Sequence, residues 1–285
     1  MSASPAVFQS PFVPVRTSGE PPAQLSRPSP VLVREELLMP RFGLAACVFR
    51  SVEMVSVART AGFDLLVADM EHSALAIGDV AALCLAGRMG NFPVEVRVGG
   101  PDHPDLARVL DCGATGVIVS HVDSADQARR IADRTRFAPA GNRSVPSPLA
   151  IFGFRAVDPQ TLMAGCEAEI RVTAMIESAD GLADAGAIAA VPGIDALMVG
   201  ANDLAVSLGH PGDVGHEQVR DAFARIAAAA AAAGKEFSVI GVPEALLESH
   251  AFALGARTVI ATNDINLLID GGTALVAALV ARAAS

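Results

Sequence analysis

Lysine is nearly absent from this chain: Lys235 is the only one in 285 residues. A lysine that forms an imine with a carbonyl substrate must project from a strand end into a site. Lys235 instead directly precedes an apolar, strand-like run, at the opposite rim of any barrel that strand joins, so imine chemistry is excluded. Cysteine is also scarce. Cys47, Cys84, Cys112 and Cys166 lie far apart, with no C-x-x-C pair and no Cys/His group of zinc-site spacing. They read as reduced core residues of a cytoplasmic protein. Clustered basic residues are missing, and the formal net charge is -10. Affinity for nucleic acid rests on such clusters, so no nucleic-acid partner is expected and small molecules are. No window joins about 18 consecutive apolar residues, and the apolar C-terminal stretch is interrupted by Asp270, Gly271 and Gly272. That stretch reads as a packed helix rather than a membrane span. No basic segment precedes an apolar core near the start, which excludes a signal peptide. The G-x-G-x-x-G turn of a doubly wound dinucleotide-binding sheet does not follow the first strand-like run either.

What is present is a large apolar fraction, 52% hydrophobic against 18% charged, enough to bury one full-sized core. Residues 1–40 hold eight of the eighteen prolines and show no apolar periodicity. They are expected to form a disordered arm ahead of a single domain over 41–285. From Gly43 onward, short apolar runs alternate with longer helical patterns, the rhythm of repeated βα units. The runs are Gly43 to Val48, Leu65 to Asp69, Pro93 to Arg97, Gly116 to Ser120, Arg171 to Ile176, Asp195 to Val199, Glu236 to Ile240 and Arg257 to Thr262. The helical patterns include Ile77 to Arg88, Ala125 to Arg134, Gly181 to Ala190, Glu217 to Ala233, Pro243 to Leu254 and Ile265 to Ala284. Eight strands, each followed by a helix, close most economically as a (β/α)8 barrel of the TIM type.

In such barrels the chemistry sits at the C-terminal ends of the strands, and polar residues concentrate there. Asp69-Met70-Glu71-His72 ends the second run, Arg97 the third, Ser120-His121 the fourth, Glu177-Ser178 the fifth and Gly200-Ala201-Asn202-Asp203 the sixth. Glu177 and Asp203, on adjacent strand ends, point like charges at one volume unless a cation or proton sits between them. Oxygen ligands suit Mg2+ or Mn2+ better than structural zinc. The plainer alternative is that Glu177 opens a loop and Asp203 or Asn202 caps a short helix. His72 is either a surface histidine or a proton carrier whose tautomer Asp69 fixes. Arg97, on an apolar strand, either pairs with Glu95 or another neighbour or binds an anion.

These segments, with Gly62-Phe63-Asp64, Val96-Arg97-Val98, the stretch from Arg136 to Arg143, and Ser207-Leu208-Gly209, resemble the HpcH/HpaI family of metal-dependent (class II) 2-oxo-acid aldolases. The resemblance runs from about Gly43 to the C-terminus. It implies a barrel that assembles as a homo-oligomer, a hexamer, with the last helix packed on a neighbouring subunit. It implies that Glu177 and Asp203 are the metal ligands for Mg2+, Mn2+ or possibly Co2+. Arg97 becomes the oxyanion-stabilising arginine, His72 with Asp69 an acid/base dyad, and Gly200, Ala201 and Asn202 part of the binding site for the substrate carboxylate. The activity implied is reversible aldol cleavage of a 4-hydroxy-2-oxo acid to pyruvate, or a related 2-oxo acid, and an aldehyde. Two rivals remain: a citrate-lyase-like acyl-CoA lyase on the same scaffold, and a non-catalytic carboxylate-binding barrel. Ala201 stands where many members have proline and Met175 where some have glutamine, departures that bear on substrate choice.

Overall fold

The computed structural model describes residues 39–147 and 149–284. Nearly all of the predicted N-terminal arm therefore lies outside the described residues. Eight parallel strands close into a barrel in sequence order: β1 Arg41–Ala46, β2 Leu65–Asp69, β3 Val94–Val98, β4 Gly116–Val119, β5 Arg171–Ile176, β6 Ala196–Gly200, β7 Glu236–Ile240 and β8 Thr258–Asn263. Closure is made by β1, which pairs with β2 on one side and β8 on the other. All eight predicted runs are strands, with ends shifted by a residue or two. The central strands are buried from end to end because helices cover the outside and side chains fill the inside, so they read as continuous apolar runs.

The helices are α1 Glu53–Thr60, α2 Ile77–Gly90, α3 Leu106–Asp111, α4 Ala125–Thr135, α5 Pro159–Glu169, α6 Ala179–Ala189, α7 Ala201–Ser207, α8 Glu217–Ala232, α9 Leu247–His250 and α10 Asp264–Ala283. Their apolar stripes set the outer core. In α4, Ala125, Ala128, Ile131, Ala132 and Thr135 face inward, and the Ser124 hydroxyl accepts from the Gln127 N–H to start the helix. Helix α5 was not legible in the sequence because only Leu162 and Cys166 are buried, too short a stripe to register. The continuous helix expected from Pro243 to Leu254 is broken into 3-10 turns around α9. There His250 is buried, with Nε2 3.1 Å from the Val214 carbonyl oxygen.

Inside the barrel, Ala45, Leu65, Val67, Ile118, Met175, Met198 and Ile260 form a separate apolar plug. Below it, towards the N-terminal ends of the strands, lies a polar layer: Arg41 bonds Thr258 at 3.0 Å and stands 3.8 Å from the buried Glu95. Burial, with the nearby charge of Glu236, raises the Glu95 carboxyl above its ordinary value of 4.5, against the pull of Arg41. The plug and this layer leave the opposite, C-terminal mouth free for function.

Helix α10 is the last helix, the one expected to pack on a neighbouring subunit. Along the helix, Leu268, Ile269, Leu275, Val276, Leu279 and Val280 are exposed. By length and composition alone, it is also apolar enough to cross a membrane.

Candidate active site at the C-terminal mouth

A cavity of about 540 Å³ opens at the C-terminal mouth, lined among others by Cys47, His72, Arg97, Glu177, Gly200, Ala201, Asn202 and Asp203. The sequence-predicted residues other than Asp69 thus line one wall or another of the same mouth. Lys235, the residue just before β7, sits at the far rim.

Asp69 has no exposure and lies beneath that lining, where it accepts from Arg97 Nε at 3.0 Å and also from Arg97 Nη2. The register dictates this pair. Asp69 and Arg97 are direct partners across β2 and β3, so their side chains leave the ladder side by side. Asp69 also accepts from the backbone N–H groups of Glu71 and His72 and from the Cys47 thiol. Its oxygens are therefore taken, and the expected dyad in which Asp69 orients the His72 ring is not formed: it reaches only the His72 backbone, at 3.3 Å. Burial pushes the Asp69 carboxyl up, but the hydrogen bonds and charge of Arg97 outweigh that and hold it below the usual carboxylate range. Desolvation likewise opposes the charge on Arg97, and Asp69 and Glu71 more than restore it. Of the two fates foreseen for Arg97, pairing is realised, with Asp69 rather than Glu95, and the side chain still lines the cavity.

The His72 side chain is 62% exposed, and its Nε2 lies 3.9 Å from Glu71. It is accessible to a molecule in the cavity, and its nearest acid is Glu71, not Asp69.

Glu177 follows β5 directly and is 4% exposed. Its Oε1 accepts from the His121 backbone N–H at 2.7 Å and lies 2.9 Å from His121 Nδ1. His121, whose backbone is left-handed with φ 55, turns both its ring and its N–H to that one oxygen. The ring's other nitrogen, Nε2, is 3.0 Å from Glu71, itself bonded by the Ser120 hydroxyl. Glu71, His121 and Glu177 thus place ligand atoms that all lie within 4.8 Å of one another, a group that could hold a metal ion. Sequence reasoning assigned no role to Glu71 and kept His121, on the neighbouring rim, as the alternative base should His72 not serve. Their signal was position: both sit at strand ends, but neither spacing nor charge marked them.

The second carboxylate oxygen, Glu177 Oε2, takes no hydrogen bond among the described residues and lies against Gly200. A Cβ on Gly200 would overlap it. Burial raises the Glu177 carboxyl, the His121 N–H and charge oppose this, and Glu71 and Asp203 raise it further. Asp203, exposed on the first turn of α7, is close enough for its charge to be felt at Glu177. Three acids thus crowd one volume whose lining guanidinium, Arg97, is already paired with Asp69. That donor set fits a divalent cation.

The HpcH/HpaI aldolase/citrate lyase family model matches residues 49–270. The chain is 37% identical over 219 residues to a hydroxypyruvate/pyruvate aldolase of Paraburkholderia phytofirmans, covering 74% of this chain and 82% of that one. It is 35% identical over 224 residues to a 4-hydroxy-4-methyl-2-oxoglutarate aldolase of Hapsidospora irregularis, covering 76% and 82%. Among solved structures, an HpcH/HpaI aldolase/citrate lyase family protein from Burkholderia cenocepacia superposes with a TM-score of 0.76 at 31% identity, covering 85% of this chain and 95% of that one.

Proposed function

The chain belongs to the HpcH/HpaI aldolase/citrate lyase family and is a carbon–carbon lyase; from that premise we propose that it cleaves a 4-hydroxy-2-oxo acid reversibly to pyruvate, or a related 2-oxo acid, and an aldehyde. The observation that carries the reading is the convergence of Glu177, Asp203, Arg97 and His72 on one cavity at the strand ends. Glu177 and Asp203 would hold a divalent cation, Mg2+ or Mn2+ and possibly Co2+, with Glu71 and His121 bracing Glu177 from behind. Such a cation, when bound, supplies Lewis acidity toward the oxygens of a 2-oxo acid.

The remaining work falls to the chain's own side chains. Arg97 presents positive charge to the oxygen on which negative charge grows as the carbon–carbon bond breaks, and Asp69 keeps that guanidinium oriented and charged. His72 reaches into the open half of the cavity, where it takes the proton of the substrate's 4-hydroxyl group and returns it in the reverse direction. Gly200, Ala201 and Asn202 line the cavity where β6 passes into α7, and the backbone N–H groups of Ala201 and Asn202, in the first turn of the helix, are available to the substrate carboxylate. Four free cysteines support a reducing, cytoplasmic setting.

The exposed apolar face of α10 supports a homo-oligomer in which a second copy covers it, a hexamer by family resemblance.

The test is pyruvate release from a panel of 4-hydroxy-2-oxo acids, with chelator and with Mg2+, Mn2+ or Co2+ restored. Chelation abolishes release and a divalent metal restores it. Turnover that survives exhaustive chelation, or turnover of acyl-CoA thioesters alone, overturns the reading.

A further inference from the structure

Asp264, the first residue of α10, is 4% exposed. Its carboxylate does more than start its own helix, where it accepts from the Ile265 N–H at 2.8 Å. It also accepts from three successive backbone N–H groups of the β1–α1 loop: Cys47 at 3.1 Å, Val48 at 3.0 Å and Phe49 at 2.8 Å. These residues are 217, 216 and 215 positions away in sequence. Among the described residues, every hydrogen bond made by those three N–H groups goes to Asp264. The loop thus hangs on a single carboxylate, held where the positive end of the α10 dipole favours an anion.

The loop matters because of what Cys47 touches. Its thiol donates to Asp69 Oδ2 at 3.5 Å, the same oxygen that Arg97 Nη2 uses, and both Cys47 and Arg97 line the cavity. A continuous set of contacts therefore runs from the base of α10, through Asp264 and the loop, to Asp69 and Arg97. We propose that Asp264 is a positioning residue for the active site: by anchoring Cys47–Phe49 it fixes the thiol that completes the Asp69–Arg97 pair, so the seating of α10 and the aim of the arginine are one mechanical unit. This rests on the reading of Arg97 as a substrate-facing group.

The test pairs kinetics with chemical labelling of the full chain. Asp264→Asn keeps the size of the side chain and one carbonyl acceptor but removes the charge and weakens the grip on three N–H groups. Loss of such a supporting contact lowers kcat/KM for pyruvate release by about 10- to 100-fold, as outer contacts of a site do. Iodoacetamide labelling, resolved by peptide mass spectrometry, should at the same time reach Cys47 at least about 3-fold faster, once the thiol leaves Asp69. The half-buried Cys112 is the internal reference and keeps its wild-type rate. Cys47→Ala, which cuts only the thiol link, lowers kcat/KM by a smaller factor, about 3-fold, and keeps the proposal testable if Asp264→Asn folds poorly. Equal acceleration at Cys47 and Cys112, with normal turnover per folded molecule, means mere loss of stability and overturns the proposal. So does an unchanged Cys47 rate. If the wild type releases no pyruvate from any substrate, the functional reading fails by itself while the labelling arm still reports whether Asp264 holds the loop.

Discussion

Replacing Gly200 by alanine adds one methyl group at the point where the site is tightest. Gly200 ends β6 with φ -85 and ψ 98, a conformation alanine adopts freely, so the backbone pays no penalty and the test is steric. The new Cβ would lie less than 3.0 Å from Glu177 Oε2, 3.0 Å from Glu177 Cβ and 3.2 Å from Met175 Sδ. An ordinary contact is about 3.5 Å, so the carboxylate must retreat by at least about half an ångström. It has little room, because Oε1 is bound to the His121 N–H and Met175 is fully buried behind it. Overpacking of this kind costs about 1–3 kcal/mol, offset by about 0.4–1 kcal/mol from the stiffer unfolded chain. The net loss, at most about 2.6 kcal/mol, lowers Tm by no more than about 5–10 °C for a domain of this size. The effect on the site is larger: a misplaced Glu177 lowers divalent-metal affinity by about 10- to 100-fold. Gly87→Ala is the matched control. Its Cβ would crowd Val94 Cγ2 and the Phe92 carbonyl oxygen between α2 and β3, far from the cavity, so it destabilises comparably and leaves metal affinity alone. Calorimetric titration with Mn2+ and thermal melts of the two variants decide the matter. Wild-type metal affinity in Gly200→Ala would refute the assignment of Glu177 as a ligand.

The other predictions concern the proton carrier, the arginine, the barrel floor and the assembly. His72→Ala lowers the kcat of cleavage by about 10²- to 10⁴-fold while metal and pyruvate affinity persist, and loss of metal along with activity would remove His72 from the mechanism. Asp69→Asn, because Asp69 braces Arg97 and not His72, raises KM as well as lowering kcat; a pure kcat effect in steady-state kinetics would restore the histidine dyad. Glu95 is buried with a raised carboxyl, so it stabilises the fold fully below its ordinary value of 4.5, and that contribution is lost as pH rises through the folded value. Melts from about pH 4 to pH 8 therefore show Glu95→Gln gaining on the wild type as pH rises, and parallel curves would refute the sign. Sedimentation at micromolar concentration finds an oligomer that Leu268→Glu with Val276→Glu dissociates; a folded, active wild-type monomer rules it out.

Periodicity was enough to define the barrel, because a strand buried on both faces must be apolar throughout and each covering helix must carry a stripe. Leu65–Asp69 and Ala196–Gly200 show the first, Ala125–Thr135 the second. Strand-end position likewise carried the sequence to Glu177, Asp203, Arg97 and His72, since the fold aims those positions at one mouth. Which acid meets which base was settled elsewhere. Asp69 is three residues from His72 and 28 from Arg97, yet cross-strand register gives its carboxylate to the arginine. His121, whose backbone is left-handed, bridges Glu71 and Glu177, an arrangement no residue pattern announced. In sequence Asp264 is one acid just ahead of the predicted helix Ile265 to Ala284, and only barrel closure, which sets β8 beside β1, lays it under the loop that it holds. Sequence alone determined the layers and the mouth, because burial is a property of each residue's own polarity. Tertiary structure decided the pairings, because charge and hydrogen bonding depend on distances that chain separation does not encode.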